Sequence, residues 1–267
     1  MKNTVIIFAF LFIIVVLVGC VAPSAQTAAP SATQIVSTAS PQPTLIHTRV
    51  SQTDGMPLVY VPYGSFIMGS DDGDPDEKPM RSIFVASFWI DQTEVTQEMY
   101  ALCDDPGCEK PTCTLDGQNM PAVCVDWKSA NAYCQWAGRR LPTEPEWEKA
   151  ARGTQGSLYP WGDQAASCDF AVMDDGDGNG CTLGSSPWQV GSIPAGISPY
   201  GAYDMAGNVW EWVDAWEEHD MANGAGHVLK GGGYYSIPYT VRAAKREVLH
   251  MPVDKLDALG FRCAMDE

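Results

Sequence analysis

Nine cysteines constrain this 267-residue chain more than any other feature. The first, Cys20, ends an N-terminal segment in which Lys2 is followed by the unbroken apolar run Val5–Val18. This run is shorter than the roughly 20 residues of a membrane-spanning helix, and Leu17–Cys20 has the small-residue-then-cysteine pattern of a lipoprotein processing site. The sequence therefore predicts a signal peptide at 1–20 and a lipid on Cys20, with an uncleaved membrane anchor as the alternative.

Such a chain is exported and held on a membrane at the cell surface or in the periplasm, provided that Cys20 receives several acyl chains. Nine cysteines minus Cys20 leaves eight, an even number, and an oxidising compartment favours four disulfides. Cys168 and Cys181 flank an acidic loop and are predicted to pair. The disulfide pairing among Cys103, Cys108, Cys113 and Cys124 is open, because four cysteines allow three connectivities. A zinc site built from these four cysteines is the rival interpretation.

Composition divides the rest of the chain into two parts. Residues 21–54 are mostly Ala, Pro, Ser, Thr and Gln without apolar periodicity, which predicts a disordered tether. Residues 55–267 are rich in aromatics with regular Gly and Pro, which predicts one globular domain. The formal net charge of −17 disfavours nucleic acid as a partner, because phosphate binding needs a basic face.

The local patterns predict an α+β domain with two main helices, short strands and long ordered loops. Strands are expected at 58–61, 65–68 and 83–90, and Thr96 is a plausible N-cap for a helix that ends near Cys103. A second helix follows Asp126 and ends at Gly138. A third follows Thr143, whose spacing to Glu146 is that of a capping box. No long helix is predicted between 154 and 260.

Two segments offer oxygen ligands for a hard cation. Asp204, Asn208 and Glu211 lie within eight residues around Gly207, as calcium sites require, but a tight turn that binds its own backbone is an equal alternative. In the second segment, Asp175, Asp177 and Asn179 have the spacing of a calcium loop. Ser186 stands where an EF-hand needs its bidentate Glu, so a solvated acidic turn is the main alternative there.

Nucleophilic catalysis has no support in the sequence. His47 lies in the tether, and the other three histidines, His219, His227 and His250, sit in loop-like sequence without ligand spacing. Neither a nucleophile elbow nor a metalloprotease or phosphate-binding motif occurs. Isolated surface carboxylates are the simplest interpretation of residues such as Asp214.

Taken together, eight motifs along the domain resemble the formylglycine-generating enzyme family, also called sulfatase-modifying factors. They occur in order: Gly64–Gly69, Asp91–Thr96, Pro121–Trp127, Trp136–Trp147, Ala150–Gly153, Tyr203–Trp212, Lys230–Gly233 and Gly260–Ala264. The resemblance covers essentially all of 55–267. It implies a fold of low regular structure that is a variant of the C-type-lectin-like architecture.

The resemblance also implies structural calcium and a disulfide between Cys134 and Cys263. The family's calcium ligands correspond to the side chains of Asp204 and Glu211 and to the carbonyls of Gly207 and Val209. A second family calcium site corresponds less clearly to Asp169 and Phe170.

The copper site of the family is where this sequence departs from it. Catalytic members oxidise a cysteine of a target sulfatase with O2 and a Cu(I) ion held by two cysteines. Those positions correspond to Ser236 and to the neighbourhood of Val241, and no cysteine lies between Cys181 and Cys263. Cu(I) selects thiolate or thioether ligands, so neither catalytic residues nor copper are expected here.

The sequence therefore favours a surface lipoprotein whose domain binds a peptide, glycan or protein partner, because loops on a rigid scaffold usually carry such function. The alternative is a metal-dependent oxidase of the formylglycine-generating type that acts on a protein cysteine.

Overall fold

The computed structural model of the chain describes residues 46–176, 181, 186–217, 226–249 and 256–267. The lipidation site Cys20 and the calcium-ligand candidates Asp177 and Asn179 lie outside these residues. The helices are α1 (Gln97–Tyr100), α2 (Trp127–Trp136) and α3 (Glu144–Arg152). The strands are β1 (Thr48–Val50), β2 (Pro57–Val61), β3 (Gly64–Met68), β4 (Arg81–Val85), β5 (Phe88–Asp91), β6 (Trp210–Glu217), β7 (Gly226–Lys230), β8 (Arg246–Leu249), β9 (Leu259–Phe261) and β10 (Ala264–Asp266).

The strands form three sheets. One has the order β1-β2-β5-β10, the second is the β3–β4 hairpin, and the third has the order β8-β7-β6-β9. Strand β9 pairs in parallel with β6, and the two-residue link Arg262–Cys263 then carries the chain from the third sheet to β10 in the first. The two four-stranded sheets are therefore joined within the last motif of the sequence. This arrangement confirms the predicted α+β class of low regular content.

The helix signals in the sequence are confirmed. The side chain of Asp126 accepts a hydrogen bond from Ser129 N at 2.8 Å at the start of α2. Thr143 and Glu146 form the predicted reciprocal capping box of α3, and Gly153 ends that helix with a positive φ of 72°. Thr96 caps α1, which is shorter than predicted because the chain enters the cysteine-bearing loop after Tyr100.

Two expectations are corrected. The single strand predicted at 83–90 is two strands, β4 and β5, which belong to different sheets. The ordered domain also begins before residue 55. Strand β1 lies in the segment expected to be tether and pairs with β2, and Asp54 of the same segment is buried in an ion pair with Arg139. Composition missed this because one short edge strand has too few residues to change the average of the segment.

Four disulfides reinforce the loops. Cys134–Cys263 ties α2 to the link between β9 and β10, and Cys168–Cys181 closes the loop that contains Asp175. Cys103–Cys108 and Cys113–Cys124 settle the connectivity that the sequence left open and leave no described cysteine for a zinc site. Such bridges are typical of secreted or extracellular proteins. Among the described residues, the helices are too short or too polar to cross a bilayer.

A buried histidine packs into the outer part of the third sheet. The ring of His227 stacks on Trp127 at 4.1 Å and lies 3.7 Å from Trp216, measured between ring centroids. Neither ring nitrogen has a hydrogen-bond partner of good geometry within the described part of the chain, and the nearby Ala215 backbone offsets only part of the lost hydration. Loss of hydration therefore lowers the pKa of His227 to about 4.

This histidine makes the fold acid-sensitive. In the unfolded chain His227 takes up a proton near pH 6.5, whereas the folded state holds it neutral down to about pH 4, so stability falls as the pH drops through that window. We expect wild type to lose up to about 3 kcal/mol relative to His227→Phe between pH 7 and pH 4. Urea unfolding at several pH values measures the difference. The solvent-exposed His47 is the control: His47→Phe should follow wild type, and a His227→Phe variant that did the same would contradict the assignment.

Candidate functional site

The centre of the domain is a buried ion pair between Glu211 of β6 and Arg262, the residue after β9. Both side chains are fully buried. Arg262 Nε donates to Glu211 Oε2 and Arg262 Nη2 to Glu211 Oε1, each at 2.7 Å. Trp147 Nε1 of α3 adds a third hydrogen bond to Oε2, also at 2.7 Å. A carboxylate held in this way orients the third sheet against α3 and the link to β10.

Two further carboxylates lie beside this pair. Glu94, which precedes α1, is fully buried, and its Oε1 accepts a hydrogen bond from Asn208 Nδ2 at 3.0 Å. Glu94 Oε2 has no donor among the described residues, although the Asp204 carboxylate lies within hydrogen-bonding range. Burial and the neighbouring negative charge of Asp204 raise the pKa of Glu94, and burial raises the pKa of Asp204.

The segment that carries Asp204 is tightly curled. Asp204, Gly207 and Asn208 have φ angles of 57°, 80° and 61°. This left-handed backbone is unusual for a residue other than glycine. Hydrogen bonds from Gly207 N to Gly231 O and from Asn208 N to Val172 O, at 2.9 and 2.8 Å, hold the curl in place. The structure thus brings the predicted residues Asp204, Gly207, Val209 and Glu211 into one buried region.

The second predicted calcium site is not assembled in the described residues. Asp169 and Asp175 are both exposed. Phe170 stacks on Trp161 with ring centroids 5.1 Å apart. No three His, Cys, Asp or Glu side chains of the described chain converge in the geometry of metal ligands.

The two positions that correspond to the copper ligands do converge. A Cβ built on Gly232 would lie 2.9 Å from Val241 Cγ1 and 3.3 Å from Ser236 Oγ, so both side chains face the same point. Both residues are buried, and Ser236 Oγ accepts a hydrogen bond from Gly233 N at 3.0 Å. Within the described chain every cysteine is in a disulfide. A hydroxyl and an alkyl group therefore lie side by side at the positions that correspond to the family's two sulfur ligands.

Aromatic and apolar side chains lie on the loop that carries Ser236 and on a segment that is hydrogen-bonded to this loop. The rings of Tyr159, Trp161 and Phe170 stack in series, with centroid distances of 4.9 and 5.1 Å. The Tyr159 hydroxyl donates to the carbonyl of Pro238 in the loop after Ser236. In that loop Tyr235, Ile237 and Tyr239 are 52%, 48% and 43% exposed. We call this set the aromatic face: Trp161, Phe170, Tyr235, Ile237 and Tyr239.

Ion pairs hold the far end of the same loop. Arg242 forms a bidentate pair with Glu77 at 2.7 and 2.9 Å, and its guanidinium lies 3.9 Å from the Tyr239 ring centroid. Lys245 Nζ and the Tyr239 hydroxyl both donate to Asp74, at 2.7 and 2.8 Å. Lys245 lowers the pKa of Asp74 by its hydrogen bond and charge. The loop residues of the aromatic face, Tyr235, Ile237 and Tyr239, are therefore presented on a fixed loop.

Sequence reasoning missed the importance of Glu94, Trp147 and Arg262. Each lies inside a motif of the resemblance, yet a single charged residue beside apolar neighbours gives no spacing signal of its own. The contacts that define their roles join residues 51 to 114 positions apart in the sequence.

The fold and the ordered series of motifs that it carries define a domain of the sulfatase-modifying-factor type. The chain belongs to the family described as sulfatase-modifying factor enzyme 1-like domain, which matches residues 43–267. It is 33% identical over 244 residues to the serine/threonine-protein kinase pkn1 of Chlamydia caviae, a match that covers 78% of this chain and 37% of that protein. It is 38% identical over 172 residues to the formylglycine-generating enzyme of Mus musculus, which covers 57% of this chain and 46% of that enzyme.

The chain thus spans less than half the length of these two relatives. Among solved structures, PvdO from Pseudomonas aeruginosa superposes with a TM-score of 0.67 at 28% identity, covering 83% of this chain and 98% of that one. The match extends over almost the whole of PvdO.

The central ion pair yields a stability prediction. Arg262→Met leaves Glu211 buried without its charge partner, which should lower the free energy of unfolding by about 3–5 kcal/mol. Arg140→Met is the matched control, because the Arg140 side chain is 33% exposed where it meets Glu146 and Asp266. It should cost at most about 1 kcal/mol. Denaturant unfolding compares them, and equal losses would contradict a central role for Arg262.

Proposed function

We propose that this domain is a binding module of an exported lipoprotein and that it does not generate formylglycine by the copper-thiolate route of its catalytic relatives. The observation that carries the proposal is the pair of side chains beside Gly232. They converge on one point, as two ligands of one ion would, but they are Ser236 and Val241. A neutral hydroxyl and a methyl group do not replace the thiolates that Cu(I) selects.

The aromatic face is the proposed binding surface. Two tyrosine side chains and one isoleucine side chain are exposed on a loop that Tyr159 holds at Pro238 and that Arg242 holds at its end. Exposed apolar groups on a rigid support are typical of a recognition surface rather than of a solvated loop. The chain carries a net charge of −17, which favours a partner with basic residues. We propose a peptide segment of a protein partner, apolar with basic flanks, as the ligand.

Membrane attachment is part of the same proposal. A lipid on Cys20 would hold the domain at a membrane surface, and the residues between it and β1 would set its reach. The four disulfides agree with folding in an oxidising compartment.

Structural calcium, which the family implies, is also proposed here, and its expected ligands divide into two groups. Asp204 fits, because its carboxylate lies in a buried region of excess negative charge and its backbone is curled. Glu211 fits only in part, because Arg262 and Trp147 fill three acceptor positions of its carboxylate and leave one on Oε1. When bound, the ion would hold the curled segment and the residues behind it in place.

The copper prediction is tested by rebuilding the site. Wild type, titrated with Cu(I) against a chelating competitor, should retain no copper, whereas the double variant Ser236→Cys, Val241→Cys should retain one Cu(I) per chain when this pair is reduced. The converging geometry at Gly232 is the reason for the expected gain. If wild type consumes O2 and converts the cysteine of a sulfatase-type peptide to an aldehyde, the proposal is wrong and the oxidase alternative holds.

The binding surface is tested by selection from a phage-displayed library of unstructured peptides with apolar and basic positions. Wild type should enrich a consensus, and Tyr235→Ala, Ile237→Ala should remove the enrichment. The control is Tyr63→Ala, Phe84→Ala, a second pair of aromatics that are 72% and 66% exposed on the β3–β4 hairpin. Enrichment that survives in the first variant, or is lost in the control, would contradict the assignment of the aromatic face.

A further inference from the structure

We propose that a cleft between α1 and the cysteine-bearing loop binds a small ligand that has an apolar body and one anionic group, such as an aryl carboxylate. The cleft has a volume of about 560 Å³. Its lining includes Gln97, Tyr100 and Ala101 on the helix side and Cys108, Lys110 and Thr114 on the loop side. We call it the α1 cleft. It shares no lining residue with the aromatic face, so the inference goes beyond the proposed function and does not rest on it.

The two walls of the α1 cleft are held apart by fixed contacts. The Gln97 side chain binds the backbone of Leu115 twice: its Nε2 donates to Leu115 O at 2.9 Å, and Leu115 N donates to its Oε1 at 3.0 Å. The Tyr100 hydroxyl donates to Glu109 O at 2.9 Å. Two disulfides also tie the loop, one to the residues after α1 and the other to the segment before α2. Closing the loop onto the helix would break these contacts, so the cleft is preformed.

The size and lining of the α1 cleft are those of a small-molecule site. Such sites usually have volumes of about 300–1,000 Å³ and are mostly apolar, with a few polar groups that orient the ligand. Most of the lining surface here is apolar. The ring of Tyr100 is 4% exposed and stacks on Tyr133 with centroids 5.5 Å apart, so this part of the wall is fixed by the core. A molecule of one or two rings is therefore the expected occupant.

The charge of the lining indicates an anionic ligand. The chain has 33 acidic and 16 basic residues, yet the lining of the α1 cleft contains Lys110 and no Asp or Glu. Lys110 has no ion-pair partner in the part of the chain that the structure describes, and the Thr114 hydroxyl makes no hydrogen bond there. The Gln97 amide is already used by Leu115. An ammonium and a hydroxyl thus remain to bind one anionic group, while the apolar wall takes the body of the ligand.

The experiment titrates the full chain with two probes of equal shape, 2-naphthoate and the neutral 2-naphthylmethanol, and follows binding by saturation-transfer NMR. Wild type should bind one naphthoate per chain with a Kd of about 1 mM or below, as expected of a ligand with about a dozen heavy atoms. The alcohol should bind about tenfold more weakly, because it cannot form the charge-assisted contact.

Lys110→Met tests the charge and keeps most of the apolar stem. It should weaken naphthoate binding by about tenfold and leave the binding of the alcohol unchanged. Lys78→Met is the matched control, since Lys78 is exposed and lies outside the cleft lining. The control should bind both probes as wild type does.

Ala101→Phe tests the location by filling the cleft. It should abolish binding of both probes, whereas Leu102→Phe should not, because Leu102 is 55% exposed and is not part of the lining. The melting temperature of each variant shows that it is folded. Thr114→Trp fills the cleft from the loop side and replaces Ala101→Phe if that variant does not fold.

Four results would overturn the inference. Absence of saturable naphthoate binding below about 10 mM would remove the ligand class, and unchanged affinity in Lys110→Met would remove the anionic group from it. Equal effects of Ala101→Phe and Leu102→Phe would place the probe elsewhere. If Ala101→Phe also loses the enriched peptides of the phage selection while Tyr235→Ala, Ile237→Ala keeps them, the cleft takes a protein segment and the aromatic face is wrong as well.

Discussion

The ion pair between Glu211 and Arg262 is the contact on which the rest of the structure depends. The pair joins β6 of the third sheet to the link that leads into β10 of the first sheet. Trp147 of α3 donates a hydrogen bond to the same carboxylate, so α3 is attached at this point as well. Such a pair contributes little net stability over an apolar replacement, but losing one partner is costly, so the two charges must be placed together. This requirement fixes how the sheets and α3 meet, with Cys134–Cys263 as a covalent tie one residue away from Arg262.

Excess negative charge next to that pair gives the domain its second constraint. Glu94 is buried and Asp204 half-buried beside one guanidinium that is already paired with Glu211. Burial raises the pKa of both carboxyl groups, because a charged group loses hydration there. The hydrogen bond from Gly207 N to Gly231 O holds the curled segment from Asp204 to Val209 next to Gly232 and the pair Ser236 and Val241.

Much of the fold could be predicted from sequence because its signals are local. The caps at Asp126 and Thr143 and the stop at Gly153 involve residues a few positions apart, and all are confirmed. The division of 83–90 into two strands was missed, since hydrophobic pattern shows strand residues but not which sheet they join. Of the candidate site, the segment from Asp204 to Glu211 was found by its oxygen-rich composition. Glu94 and Arg262 were not singled out, because their roles depend on contacts across the whole domain that no spacing reveals.

We propose that this chain, with Ser236 and Val241 at the positions that correspond to the family's copper ligands, holds no redox metal, and that the acidic segment before β6 holds calcium. Elemental analysis by mass spectrometry of protein purified in air without chelators tests both halves at once. The account predicts at least about one calcium per chain, with copper and iron at trace levels. Copper or iron at near-stoichiometric occupancy, whatever the calcium content, would contradict it.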